Sequence, residues 1–163
     1  MLKGFTLIEL LVTISVISVV SGILLISFGD DRTKKELETN ARAVAAVARE
    51  AQNYALTGKR VVANSEPCQF LVRWDAPTSY SIIYFYKDGG GNCNQTDPFA
   101  TYALKNGVVF ENSGFFLYAL PFASTGGSIP DVAAIILNKS GFLHSVCVYK
   151  DGLILDRPDT NCP

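Results

Sequence analysis

Histidine is nearly missing from this chain: His144 is the only one in 163 residues. A proton relay or a paired metal site therefore lacks its commonest second member. The four cysteines (Cys68, Cys93, Cys147, Cys162) show no C-x-x-C spacing, which takes away the usual zinc arrangements. A charge excess is missing too, with 14 Lys+Arg against 15 Asp+Glu. So balanced a chain has no bulk electrostatic attraction to nucleic acid or anionic lipid. The one glycine run, at 89–91, precedes no helical pattern and lacks the Lys-Ser/Thr of a phosphate loop. Asp88, Asn92, Asn94 and Asp97 offer oxygens around it, but their spacing matches no calcium loop. His144 alternates with apolar neighbours, as a structural or surface residue of a strand does. These absences point away from an enzyme, a cofactor and a metal.

What the chain has is apolar, and unevenly placed. Much of its 48% apolar content lies in the first 28 residues. From Phe5 to Phe28 the sequence reads FTLIELLVTISVISVVSGILLISF, with Glu9 its only charge. As a helix this run is about 36 Å long, enough to cross a hydrocarbon core of roughly 30 Å. Its Ser and Thr hydroxyls can bond back to helix carbonyls. Lys3 precedes the run and Asp30, Asp31, Arg32, Lys34 and Lys35 follow it, so charge gives the span no clear direction. A secretory signal with cleavage near Ser27-Phe28-Gly29 is the competing reading. Its apolar core would exceed the usual length of about 7–15 residues, and it has no use for Glu9.

Met1-Leu2-Lys3-Gly4 followed by Phe5-Thr6-Leu7-Ile8-Glu9-Leu10 resembles the signal of type IV prepilins. The resemblance implies that a prepilin peptidase cuts between Gly4 and Phe5 and methylates the new Phe5 amine. It also implies a cytoplasmic leader (1–4) and a single pass of the inner membrane, with the rest outside. A lone carboxylate at mid-membrane costs about 2.5–3.5 kcal/mol, so Glu9 needs an end position or a partner. In a fibre of stacked subunits, Glu9 of one chain can meet the Phe5 amine of the next, neutralising both and fixing register. The bland alternative is a snorkelling Glu at the end of a plain anchor. Pilus-forming pilins often carry a proline in this segment. Here the first proline is Pro67, which favours a minor pilin or pseudopilin.

Beyond the apolar run (5–28), residues 29–57 form an amphipathic extension. Leu37, Ala41, Val44, Ala48, Ala51 and Ala55 recur at helical spacing on one face, while Lys35, Glu38, Arg42, Arg49 and Gln52 lie mostly elsewhere. Asp30 or Asp31 could cap a new helix there, or Gly29 could bend a continuous one. Thr57-Gly58 supplies a stop. The alanines suit close approach to a sheet.

From residue 60 to 163 short apolar runs alternate with turn signals. Candidate strands are 68–74, 79–86, 99–104, 107–111, 115–122, 133–138, 142–149 and 152–156. The expected fold class is α+β: a long N-terminal helix, transmembrane in its first half, packed on an antiparallel β-sheet domain, pilin-like. The run from Ala41-Arg42 to Arg49-Glu50-Ala51, and the stretches Phe122–Gly127, 134–137 and 146–154, resemble GspH/FimT-type minor pilins and pseudopilins.

Four distal cysteines suggest two disulfides in an oxidising compartment, the alternative being that some are buried free thiols. Three pairings are open. Cys68–Cys93 and Cys147–Cys162 are preferred, the first closing the glycine-loop region and the second tying down a tail without strand pattern. The expected role is a structural subunit of a pilus or type II secretion pseudopilus, its partners the peptidase and other pilin subunits. A fibre-displayed binding module or a non-polymerising anchored domain are the alternatives. Some FimT-like relatives bind DNA through a basic C-terminus. The tail here, Asp156-Arg157-Pro158-Asp159-Thr160-Asn161-Cys162, is not basic, which weighs against nucleic acid.

Overall fold

The computed structural model describes residues 6–61, 63, 65–120, 124–126 and 131–162, with backbone alone at 23–28 and 124–126. The chain divides into two compact units, Met1–Lys35 and Glu36–Pro163. One α-helix, α1, covers Leu7–Thr57. No second helix is capped at Asp30 or Asp31. Helical backbone continues through Gly29, whose carbonyl accepts from Thr33 Oγ1 at 3.1 Å.

The helix ends where its sequence gives it a glycine. Gly58 takes φ +59°, Lys59 N–H donates to the Tyr54 carbonyl (3.1 Å), and Gly58 N–H donates to that of Ala55 (3.4 Å). These two bonds form a Schellman motif, which satisfies carbonyls that the last turn leaves open.

Among the described residues nine strands follow: β1 (Pro67–Asp75), β2 (Ser79–Lys87), β3 (Cys93–Ala103), β4 (Val109–Phe110), β5 (Gly114–Ala119), β6 (Ser124–Gly126), β7 (Val132–Lys139), β8 (Phe142–Tyr149) and β9 (Ile154–Arg157). They form two antiparallel sheets, β3-β2-β1-β5-β6 and β4-β7-β8-β9. The α+β architecture is the one expected, a helix packed on antiparallel sheets. Details differ. β3 begins at Cys93 and not at 99, β4 keeps two of five expected residues, β5 ends at Ala119, and β6 was not anticipated. Phe122 and Gly127 lie outside the described residues.

One apolar cluster joins the helix to both sheets. Leu37, Ala41, Val44, Ala48, Ala51 and Ala55 are all buried, with Ala45 and Val47 widening the stripe. Against them in the same cluster stand Phe70, Val72, Trp74, Tyr80, Ile82, Tyr84, Phe116 and Tyr118 of the first sheet. Ile135, Leu137, Val146 and Val148 come from the second. Each large apolar side chain so buried contributes about 1.5–3 kcal/mol of gross stabilisation.

Polar ties flank the stripe. Arg49 Nη2 donates to the Ile154 carbonyl (2.9 Å) and Gln52 Nε2 to that of Gly152 (3.1 Å). Glu36 is ion-paired with Lys139 of β7. Asn112 bridges the sheets: its Oδ1 accepts from Trp74 Nε1 (3.3 Å) and Ile136 N–H (3.1 Å), and its Nδ2 donates to the Ala134 carbonyl (2.8 Å).

Candidate assembly site

The first turn of α1 is built by Thr6 and Glu9. The Thr6 N–H (3.0 Å) and hydroxyl (2.8 Å) both donate to Glu9 Oε2, and Glu9 N–H donates back to Thr6 Oγ1 (3.4 Å). This reciprocal pattern is a capping box, with Thr6 as N-cap and Glu9 at N3. The signal Thr-x-x-Glu before an apolar run was legible in the sequence.

After this cap the side chains point outward and are apolar. Leu7 is 81% exposed, and Ile8, Leu10, Leu11, Val12, Ile14, Val16, Ile17, Val19 and Val20 are also exposed. These positions cover all sides of the helix, which therefore has no polar face to offer to water. The hydroxyls between them turn inward. Thr13 donates to the Leu10 carbonyl (2.9 Å), Ser15 to that of Val12 (2.8 Å) and Ser18 to that of Ile14 (2.8 Å). Such back-bonding removes the need for external partners.

Among the described residues no helix is long and apolar enough to cross a membrane. Side chains of the run are described only to Gly22. From Leu7 that is about 24 Å of helix, short of a hydrocarbon core of roughly 30 Å.

Residues 3–25 match the prokaryotic N-terminal methylation motif, the signature of type IV pilins and pseudopilins. In this N-terminal segment the chain is similar to type IV pilins and pseudopilins. No curated protein and no solved structure matches it. The motif contains Gly4 and Phe5, the expected cleavage and methylation residues, which lie outside the described residues. Glu9 also falls within it, and its described partner is Thr6.

The cysteines are joined as Cys68–Cys93 (Cα–Cα 6.1 Å) and Cys147–Cys162 (5.6 Å). Cys147 and Ser145 face away from the buried cluster on β8, yet both are fully buried. Cys162 Sγ lies 4.0 Å from Ser145 Oγ, so the bridge holds the C-terminal tail over this outer side of the second sheet.

The remaining candidate groups are engaged in structure. Asp88 Oδ1 accepts from the N–H groups of Gly90 and Asn92 and Oδ2 from Asn94 Nδ2, each at 2.9 Å. The Asn92 amide, first among these donors, holds the carboxyl below its usual range. Among the described residues no group of three or more His, Cys, Asp or Glu is gathered to hold a metal. His144 is buried on β8, and its Nε2 lacks a hydrogen bond. Asp156 Oδ2 is 4.0 Å from that nitrogen and 3.8 Å from Arg42 Nε, while Arg42 also pairs with Glu38. Burial pushes the imidazole pKa down, opposed by the Asp156 charge.

Proposed function

We propose that the chain is a GspH/FimT-type minor pilin or pseudopilin, a subunit of a type IV pilus or type II secretion pseudopilus. It acts by packing and carries no catalytic site. On this reading a prepilin peptidase cuts between Gly4 and Phe5 and methylates the Phe5 amine. The apolar run 5–28 anchors the chain by a single pass of the cytoplasmic membrane, with the 60–163 domain outside. Two disulfides fit such an oxidising location.

The observation that carries this reading is the methylation motif lying on a helix that is apolar on every side. Such a helix needs lipid or other helices around it. Assembly would supply helices, and would give Glu9 a cation in the Phe5 amine of a neighbouring subunit.

Co-assembly tests it. In a host with the peptidase and the other subunits, the chain should appear in the sheared or purified fibre fraction. Glu9→Ala should be cut normally yet stay in the membrane fraction. Recovery of Glu9→Ala in fibres at the parental level would contradict the assembly role.

A further inference from the structure

Asp156 Oδ2 stands between two nitrogens that belong to different elements. Arg42 Nε of α1 lies 3.8 Å from it and His144 Nε2 of β8 lies 4.0 Å from it. Both separations exceed a hydrogen bond, so the carboxylate is committed to neither group. Strand register explains the meeting. His144 is opposite Leu137 and Asp156 is opposite Val146, and both of these partners belong to the buried cluster. His144 and Asp156 therefore stand on the face of the second sheet that meets α1. Their settings differ from that of Arg42. His144 is buried and its Nε2 has no hydrogen bond, whereas the Arg42 side chain is 63% exposed and also pairs with Glu38 one turn earlier. Around the imidazole, β7 places apolar Leu137, β8 brings no charged residue, and Asp159 acts from the tail. Further along β7, Lys139 is ion-paired with Glu36 of α1.

We propose that a proton on His144 makes Asp156 exchange partners, from Arg42 of α1 to the imidazolium of β8, and so loosens the tie between the helix and β9. A buried imidazolium without a partner is costly. Among the described residues Asp156 is the one carboxylate within ion-pair reach of it. Arg42 loses little by the exchange, because it is largely exposed and keeps Glu38. Charge agrees. With His144 neutral, Arg42 faces both Glu38 and Asp156, one negative charge in excess, and the added proton balances the group. Burial, the largest influence, keeps the imidazole neutral until the pH falls below its ordinary value of 6.5, so the exchange belongs to mild acid. The other end of β9 stays on the helix, where Arg49 Nη2 donates to the Ile154 carbonyl. A buried histidine alone would give a loss of stability in acid; the exchange adds a named contact that breaks and another that forms. It concerns the globular unit and stands or falls apart from the N-terminal segment.

The test uses the full chain in detergent micelles. NMR follows the Asp156 carboxyl carbon, the Arg42 Nε–H and the His144 ring from about pH 7.5 to about pH 5, a range that spans histidine titration. All three should shift with one midpoint, and the step at Asp156 and Arg42 should vanish in His144→Gln. Double-mutant cycles by chemical denaturation give a second reading, with Arg42→Gln, His144→Gln and Asp156→Asn made singly and in pairs. Arg42–Asp156 coupling should be roughly two- to fivefold in the unfolding equilibrium at about pH 7.5 and absent at about pH 5. Coupling between His144 and Asp156 should run the other way, from absent to about tenfold. Resonances of Asp156 and Arg42 that ignore the ring's midpoint overturn the proposal. So does an Arg42–Asp156 coupling equal at both pH values, or a step that persists in His144→Gln.

Discussion

Glu9 Oε2 is the common acceptor for the amide and the hydroxyl of Thr6, so the carboxylate that marks the methylation motif also caps its own helix. The two jobs need not conflict. Both described bonds use one oxygen, and a carboxylate has a second with lone pairs to share. Assembly can therefore add a cation to a carboxylate already fixed in place.

Replacing Thr6 separates the jobs. Thr6→Ala should cost the first turn about 1 kcal/mol, seen as faster amide exchange there. It should leave cleavage and fibre recovery close to parental, whereas Glu9→Ala loses the fibre. Equal loss of assembly in both variants would mean that helix capping is the whole role of Glu9.

Gly114 exists because of Trp74. A Cβ at position 114 would lie 2.6 Å from Trp74 Cζ2 and 2.9 Å from Cη2. Gly114→Ala should therefore destabilise the β domain by about 1–3 kcal/mol. Chemical denaturation followed by the fluorescence of Trp74, the sole tryptophan, reads this directly.

Much of this fold was legible before any coordinates. The spacing from Leu37 to Ala55 named a stripe whose six members are all buried, because a 3.6-residue period has one face to hide. What escaped has physical reasons. The start of β3 is Cys-Asn-Gln-Thr-Asp, without apolar alternation. It is held as a strand by backbone pairing to β2, as between Lys87 and Cys93. The expected strand 107–111 shrank because Asn106 and Gly107 take positive φ and make a turn. The Thr-x-x-Glu spacing carries the signal of the cap, and an assembly role for Glu9 does not require it. Asn112 could not be foreseen, since it gathers groups from strands far apart in sequence.

The tail depends on its bridge. Cys147 and Cys162 are separated by 15 positions, and a loop of about that size contributes around 3 kcal/mol to stability. Replacing both by alanine should lower the denaturation free energy by that order and expose the tail to limited proteolysis near Arg157. An unchanged midpoint would show that the tail adds nothing to the fold.

His144 gives stability a defined slope in mild acid. Its folded pKa lies below the ordinary value of 6.5 because the imidazole is buried. The unfolded chain is therefore protonated first as pH falls. The contribution is complete above about pH 6.5 and is lost as pH drops toward the folded pKa. His144→Gln should flatten the stability-pH curve in that window relative to the parent chain. Identical slopes would remove His144 as the cause.

The most direct test of the pilin reading is the intact mass of the membrane-extracted chain, expressed with and without a prepilin peptidase and measured with and without reduction. The account predicts loss of Met1–Gly4 only when the peptidase is present. A gain of one methyl group on Phe5 and a reduction shift for two disulfides should accompany it. An uncut N-terminus in the presence of an active peptidase, or cleavage after Gly29, would mark a plain anchor or a secretory signal and contradict the fibre account.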